Sequence, residues 1–153
     1  MARGITYQIE PWAAVKWEIQ PLLARHWEEV ALDRDTIPLV VDYAVYDALA
    51  ANGSLQIMTV RAAGELVGYF WAVVRTHPHY ALTLMAFTDI VYIAPDHRKG
   101  MTGVKLFTEM EKHLRGMSVE KIFAGTKEKL NLGPIYKRLS YVVHEVIYSK
   151  VLQ

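Results

Sequence analysis

The sequence changes its period at Pro95. Before it, Ala81 to Ala94 is a long apolar run of strand character; after it, Leu106, Met110, Leu114 and Met117 recur on one face of a helix, with Phe107 beside them and Gly116 near the end. Proline suits the interior of neither element, so a strand must here hand over through a loop to a helix of about four turns. The helix can bury its apolar face only against the sheet that holds the strand, which confines the fold to the α/β or α+β classes.

The flanking sequence supplies the rest of such a unit. Ile5 to Ile9 alternates as a short first strand, and a helical region starts after Pro11 and runs to about Val30, with Pro21 expected to kink or divide it. Val41, Val45 and Leu49 predict a second helix after Pro38, stopped at Asn52-Gly53. Leu55 to Ala62 and Leu66 to Arg75, joined at Ala63-Gly64, predict a β-hairpin. Beyond the long helix, Lys121 to Thr126 reads as strand, Leu130 to Leu139 as helix and Tyr141 to Val151 as strand. The expected order is β, α, α, β, β, β, α, β, α, β. It forms one domain over residues 1–153, with about six strands flanked by about four helices.

The loop after Pro95 reads Asp96-His-Arg-Lys-Gly-Met-Thr-Gly103. A helix start offers unpaired backbone N–H groups and partial positive charge, glycines let an anion approach the backbone, and Arg98 and Lys99 add full charges, so the loop suits a phosphate. The three-glycine dinucleotide pattern and the Gly-Lys-Ser/Thr phosphate loop are both absent. A balance of 17 Lys and Arg against 16 Asp and Glu gives no field strong enough to hold nucleic acid. The chain has no cysteine, so any thiol chemistry comes from a cofactor. No membrane span is expected, because the uncharged run from Thr76 to Thr88 is short and broken by His-Pro-His, and Met1 to Glu10 has no leader-like apolar stretch; a cytoplasmic location follows as the expectation.

From Ile93 to Leu106 the sequence resembles the central motif of the GNAT acyltransferase superfamily, Val-x-Pro-x-x-Arg/Gln-x-x-Gly-x-Gly/Ala with a leucine three residues on. Ile93, Pro95, Arg98, Gly103 and Leu106 fall in register, while Met101 stands at the first glycine and Gly100 lies one residue early. A second segment, Asn131-Leu-Gly-Pro-Ile-Tyr136-Lys-Arg-Leu-Ser140-Tyr141, is similar to the family's later motif, with Ser140 in place of glycine and Tyr141 in place of phenylalanine. The resemblance implies the GNAT fold, with a central mixed, mostly antiparallel sheet, and by general look the chain is similar to the small GNAT proteins of bacteriophages. The resemblance implies acetyl-CoA as cosubstrate, with its pyrophosphate held by Arg98, Lys99, Gly100, Met101, Thr102, Gly103 and Val104. It also implies that Val91, Tyr92 and Ile93 pair with the pantetheine arm, that Asn131 belongs to the cofactor site, and that the last strands form a homodimer.

Transfer to an amine needs the nucleophile deprotonated and the departing thiolate protonated. The resemblance assigns the second task to Tyr136; a tyrosine that only packs a helix face is the alternative. Asp89, the one acid in an apolar strand run from Met85 to Ala94, is the candidate base, or else a rim charge or ion-pair partner. His77, His79 and Tyr80 lie in the hairpin loop before the long strand, where an acceptor contact competes with a plain polar loop; with no third ligand at a usable spacing, no metal is expected. His97 is placed against phosphate or solvent, and His26, His113 and His144 on surfaces or helix faces. Glu28, Glu29, Asp33 and Asp35 could attract a cationic amine near the first helices, or be a solvated helix end. Two functions follow: an N-acetyltransferase acting by direct transfer in a ternary complex on a small-molecule or protein amine, or a non-catalytic module of the same fold that works through a protein partner.

Overall fold

A computed structural model describes residues 4–152; the first residues of the N-terminal segment lie outside it. Strands β1 (Ile5–Ile9), β2 (Leu55–Ala62), β3 (Glu65–His77), β4 (Tyr80–Ile93) and β5 (Lys121–Phe123) form one sheet in that order. The first three junctions are antiparallel and the last, β4 to β5, is parallel. That parallel step needs a crossover, and α4 (Thr102–Gly116), the helix read from the period after Pro95, provides it.

The sheet is covered on both faces. Phe70, Ala72, Val74 and Ala86 meet Leu106, Phe107, Met110 and Leu114 of α4, with Ile135 and Tyr136 of α5 (Gly133–Arg138) at one end. On the other face Ile57, Tyr69, Trp71 and Tyr92 pack under α1 (Trp12–Val15), α2 (Gln20–Val30) and α3 (Tyr43–Ala51). Pro21 divides the N-terminal helical region and sits in the first turn of α2, where its missing N–H has no partner to lose. The helical layer is pinned to the sheet edge by Arg61, which pairs with Glu10 and Glu18 at 2.7 Å each. Asp47 of α3 accepts from Trp12 Nε1 at 2.6 Å and pairs with Lys16 at 2.9 Å, tying α3 to α1.

The expected strand from Tyr141 to Val151 does not form, so the sheet has five strands rather than six, and the divided first helix raises the helices to five. The segment has the composition of a strand, but β5 is three residues long and its outer edge is too short to template a ladder. Val142, Val143, Ile147 and Tyr148 are consequently exposed by 80 % or more. β5 also stops at Phe123 instead of Thr126, and the last helix is confined to Gly133–Arg138.

Candidate active site

The site is organised by an irregularity in β4. Trp71 of β3 is paired with Ile90, but the next residue, Ala72, is paired with Thr88, so Asp89 is an extra residue, a β-bulge. Across the bulge the alternation changes phase. Leu84 and Ala86 face α4 before it, and Val91 and Ile93 face α4 after it. Asp89 and Ile90 are therefore consecutive residues directed to the same side, the one covered by α2 and α3. Asp89 is exposed, and its Oδ2 accepts a 2.6 Å hydrogen bond from the Tyr46 hydroxyl of α3. Burial, with the Asp89 carboxylate second, raises the Tyr46 phenol above its ordinary range, so the proton stays on tyrosine. The sequence argument held that burial would make this carboxylate costly; the structure instead gives it solvent and one donor.

Beyond the bulge β4 parts from β5. The two strands share rungs only from Met85 to Phe87, so among the described residues Thr88–Ile93 runs on with no strand along the β5-facing edge of its backbone. Val91 and Ile93 direct their side chains to the α4 face, whereas Tyr92 is buried on the opposite one. At the end of this edge lies the loop to α4. Gly100 has φ of +63°, a left-handed conformation that glycine adopts without strain, so the residue one place early in the motif makes the turn. Met101 follows, exposed, at the N-cap. The first main-chain bond of α4 is Lys105 N to Met101 O, and among the described residues the N–H groups of Gly103 and Val104 have no main-chain partner. Thr102 Oγ1 donates to Lys99 O, and the Thr102 carbonyl accepts from Tyr7. A Cβ on Gly103 would come within 2.8 Å of Ile135 Cδ1, so that glycine also lets α5 approach α4.

The two loop cations differ in role. Arg98 turns back toward α2 and binds the Glu29 carboxylate in a fork, Nη1 to Oε1 at 2.6 Å and Nη2 to Oε2 at 2.7 Å, while its Nε donates to Ile93 O at 2.7 Å. Tyr92 donates to the same carboxylate at 2.9 Å. The Arg98 guanidinium holds the Glu29 carboxyl below the usual range. Lys99 is exposed and forms no ion pair among the described residues, which leaves it as the cation available to an anion. Of the acids near the first helices it is Glu29 that reaches the strand; Glu28 is exposed, and only its carbonyl is engaged, by Arg34. Helical geometry puts adjacent residues about 100° apart, and periodicity alone did not tell which faces inward. His26, expected at a surface or helix face, is buried: its Nδ1 lies 2.8 Å from the Tyr69 hydroxyl and its ring stacks on Tyr92. Burial pushes its pKa down to about 4.

On the β5 side of the gap, Tyr136 packs edge-on against Phe107 and donates its hydroxyl to the carbonyl of Gly125, just beyond the end of β5. Burial pushes the phenol up to about 12, keeping it protonated. Asn131 is occupied locally, its Oδ1 accepting from Gly133 N at 2.8 Å to shape the entry to α5. His77 closes β3 and Tyr80 opens β4, with His79 in the turn between, its N–H donating to His77 Nδ1 at 3.1 Å. At about 3.3 Å per strand residue this hairpin tip is some 30 Å along β4 from Asp89, so the structure does not bring it to the loop or the gap. No cluster of three His, Cys, Asp or Glu side chains suited to a metal occurs among the described residues.

No protein-family model and no curated protein matches this sequence. Solved structures match over nearly its whole length. A predicted acetyltransferase from Clostridium acetobutylicum with acetyl-CoA superposes with a TM-score of 0.73 at 10% identity, covering 97% of this chain and 96% of that one. An aminoglycoside acetyltransferase from an uncultured soil metagenomic sample, in complex with sisomicin, gives 0.73 at 11% identity, covering 97% of each chain. Glucosamine-6-phosphate N-acetyltransferase from Arabidopsis thaliana gives 0.71 at 11% identity, covering 98% and 99%. Likeness at such identity is likeness of fold, and the fold of this chain is that of the GNAT acetyltransferases.

Proposed function

We propose that this chain is an acetyl-CoA-dependent N-acetyltransferase, acting in the cytoplasm as one domain. The observation that carries the reading is the conjunction, on one strand and the helix that follows it, of a bulge presenting Asp89, a backbone edge from Thr88 to Ile93 with no strand beside it, and a helix start whose N–H groups at Gly103 and Val104 have no main-chain partner. That edge can pair with an amide-bearing arm, and the helix start with Lys99 can hold a pyrophosphate. The bound cosubstrate supplies the thioester. Among solved structures of this fold, proteins named for aminoglycosides and for glucosamine-6-phosphate act on amines, which supports an amine acceptor here.

The reaction is direct transfer in a ternary complex. The acceptor nitrogen attacks the thioester carbonyl carbon; a C–N bond forms and the C–S bond breaks. Asp89, through water, takes the proton that the nitrogen sheds. Tyr136 gives its proton to the departing sulfur, a role suited to a phenol that burial keeps protonated. Arg98 serves as a brace: with Glu29 and Tyr92 it fixes the end of β4 to α2. The proposal includes a homodimer through the C-terminal segment, whose apolar residues Val142, Val143, Ile147 and Tyr148 are left exposed by the described residues. Release of free thiol from acetyl-CoA on addition of amines tests the activity. Turnover abolished by Asp89→Asn and Tyr136→Phe, with acetyl-CoA affinity unchanged, is the expected result; a protein that binds acetyl-CoA yet acetylates no amine would be the partner-binding module instead.

A further inference from the structure

A groove of about 320 Å³ lies between α2, the segment leading into α3, α3 itself and β4, and one of the residues lining it, Tyr46, is the donor to Asp89. Its walls include Leu39, Val40, Val45 and Ile90, and its polar side chains are those of Asp42 and Tyr46. Val40 is 82 % and Val45 50 % exposed, a concentration of large apolar surface that the chain does not cover for itself. Asp42 Oδ1 is engaged in capping α3, accepting from Val45 N at 3.2 Å, and Tyr46 donates to Asp89. The bulge that directs Asp89 and Ile90 to the same side is what sets a carboxylate at the edge of an apolar wall. No lining residue is cationic.

We infer that this groove selects the acceptor, and that the acceptor is a small primary amine carried on a compact apolar body, without a carboxylate beside the nitrogen. The inference rests on the acetyltransferase reading for its purpose, but its chemistry is that of the groove. An ammonium group is attracted to Asp89 while an aryl or branched alkyl body replaces water against the valines, leucine and isoleucine. A polycation would find only Asp42 beside Asp89, and its remaining charges would lie on apolar wall. An α-amino acid would bring its carboxylate among Asp42 and Asp89 with no arginine or lysine to receive it. The volume lies at the small end of ligand pockets, which run from about 300 to 1,000 Å³, and so suits a compact body over an extended one.

Equilibrium binding of phenethylamine, spermidine and phenylalanine to the full chain, read by ligand-observed NMR with and without acetyl-CoA, tests this. Phenethylamine should bind at least tenfold more tightly than either competitor, and Val45→Lys, on the exposed face of α3, should abolish that preference while melting temperature and acetyl-CoA affinity hold. Spermidine or phenylalanine binding as well as phenethylamine, or phenethylamine failing to bind at millimolar concentration, overturns the inference. Thiol release assayed alongside separates the two readings: selective phenethylamine binding without turnover sustains the groove's selectivity and removes the acetyltransferase, while turnover of spermidine in preference does the reverse.

Discussion

His26 is a residue whose helical position concealed its environment. Arg25 before it is exposed and Trp27 after it is half-buried, yet His26 lies against the sheet with Tyr69 and Tyr92, held neutral by burial. A pKa depressed from 6.5 to about 4 means that the unfolded chain binds a proton that the folded chain refuses, so stability falls as pH drops from about 6.5 through about 4. The loss can reach about 3 kcal/mol. His113, also lowered by burial, adds to the slope. Denaturant unfolding of His26→Asn against the parent from pH 7 to 4.5 should show a shallower slope in the variant; identical slopes would remove His26 from the account. Tyr136 and Asp89 make a prediction of the opposite kind, in which stability is silent. Tyr136→Phe should lower kcat by about a hundredfold or more with melting temperature near that of the parent, since its hydroxyl bonds an exposed carbonyl. An unchanged kcat would make Tyr136 a packing residue. Both residues were legible in sequence, one as an acid in an apolar run and the other through its motif. Tyr46, the partner of Asp89, was not, because nothing in a helical period reports which hydroxyl meets a distant strand.

Among the elements, the β4-to-α4 unit was the most legible, since a change of period at Pro95 is a local signal. The bulge inside β4 was not. The stretch from Met85 to Ala94 is apolar enough on both faces that a phase change leaves no trace in its pattern. The opposite failure occurred at Tyr141–Val151, where composition said strand but strand formation also needs a neighbour's edge. Arg98 shows how an element can redirect a basic residue: the loop turns its guanidinium onto α2, and of the two loop cations Lys99 is the one without an ion pair among the described residues. A double-mutant cycle with Arg98→Ala and Glu29→Ala should give a coupling of about 1–2 kcal/mol, between values for exposed and buried pairs. A coupling near zero would mean that the fork does not brace the two elements. Lys99→Glu should weaken acetyl-CoA binding without that stability cost. Gly103→Ala should also weaken binding at small cost to stability, because the atom it meets, Ile135 Cδ1, is the end of a side chain that can rotate.

At the scale of the whole molecule the fold sets two faces to different work. In the proposed reaction helix α4 and the diverging edge of β4 make the cofactor side, α2 and α3 with the groove make the acceptor side, and the bulge joins them. The exposed apolar C-terminal segment belongs to the same scale, because the proposed homodimer would bury it. Light scattering should report a dimer for the full chain and a monomer for one truncated after Tyr141; a monomeric parent would contradict the dimer. The central claim is that the loop from Arg98 to Val104 holds acetyl-CoA, and calorimetric titration of acetyl-CoA into the parent and into Lys99→Glu tests it most directly. Saturable micromolar binding by the parent, weakened about tenfold or more in Lys99→Glu with an unchanged melting temperature, is the predicted result. No binding by the parent at millimolar ligand would contradict the account, whatever the fold.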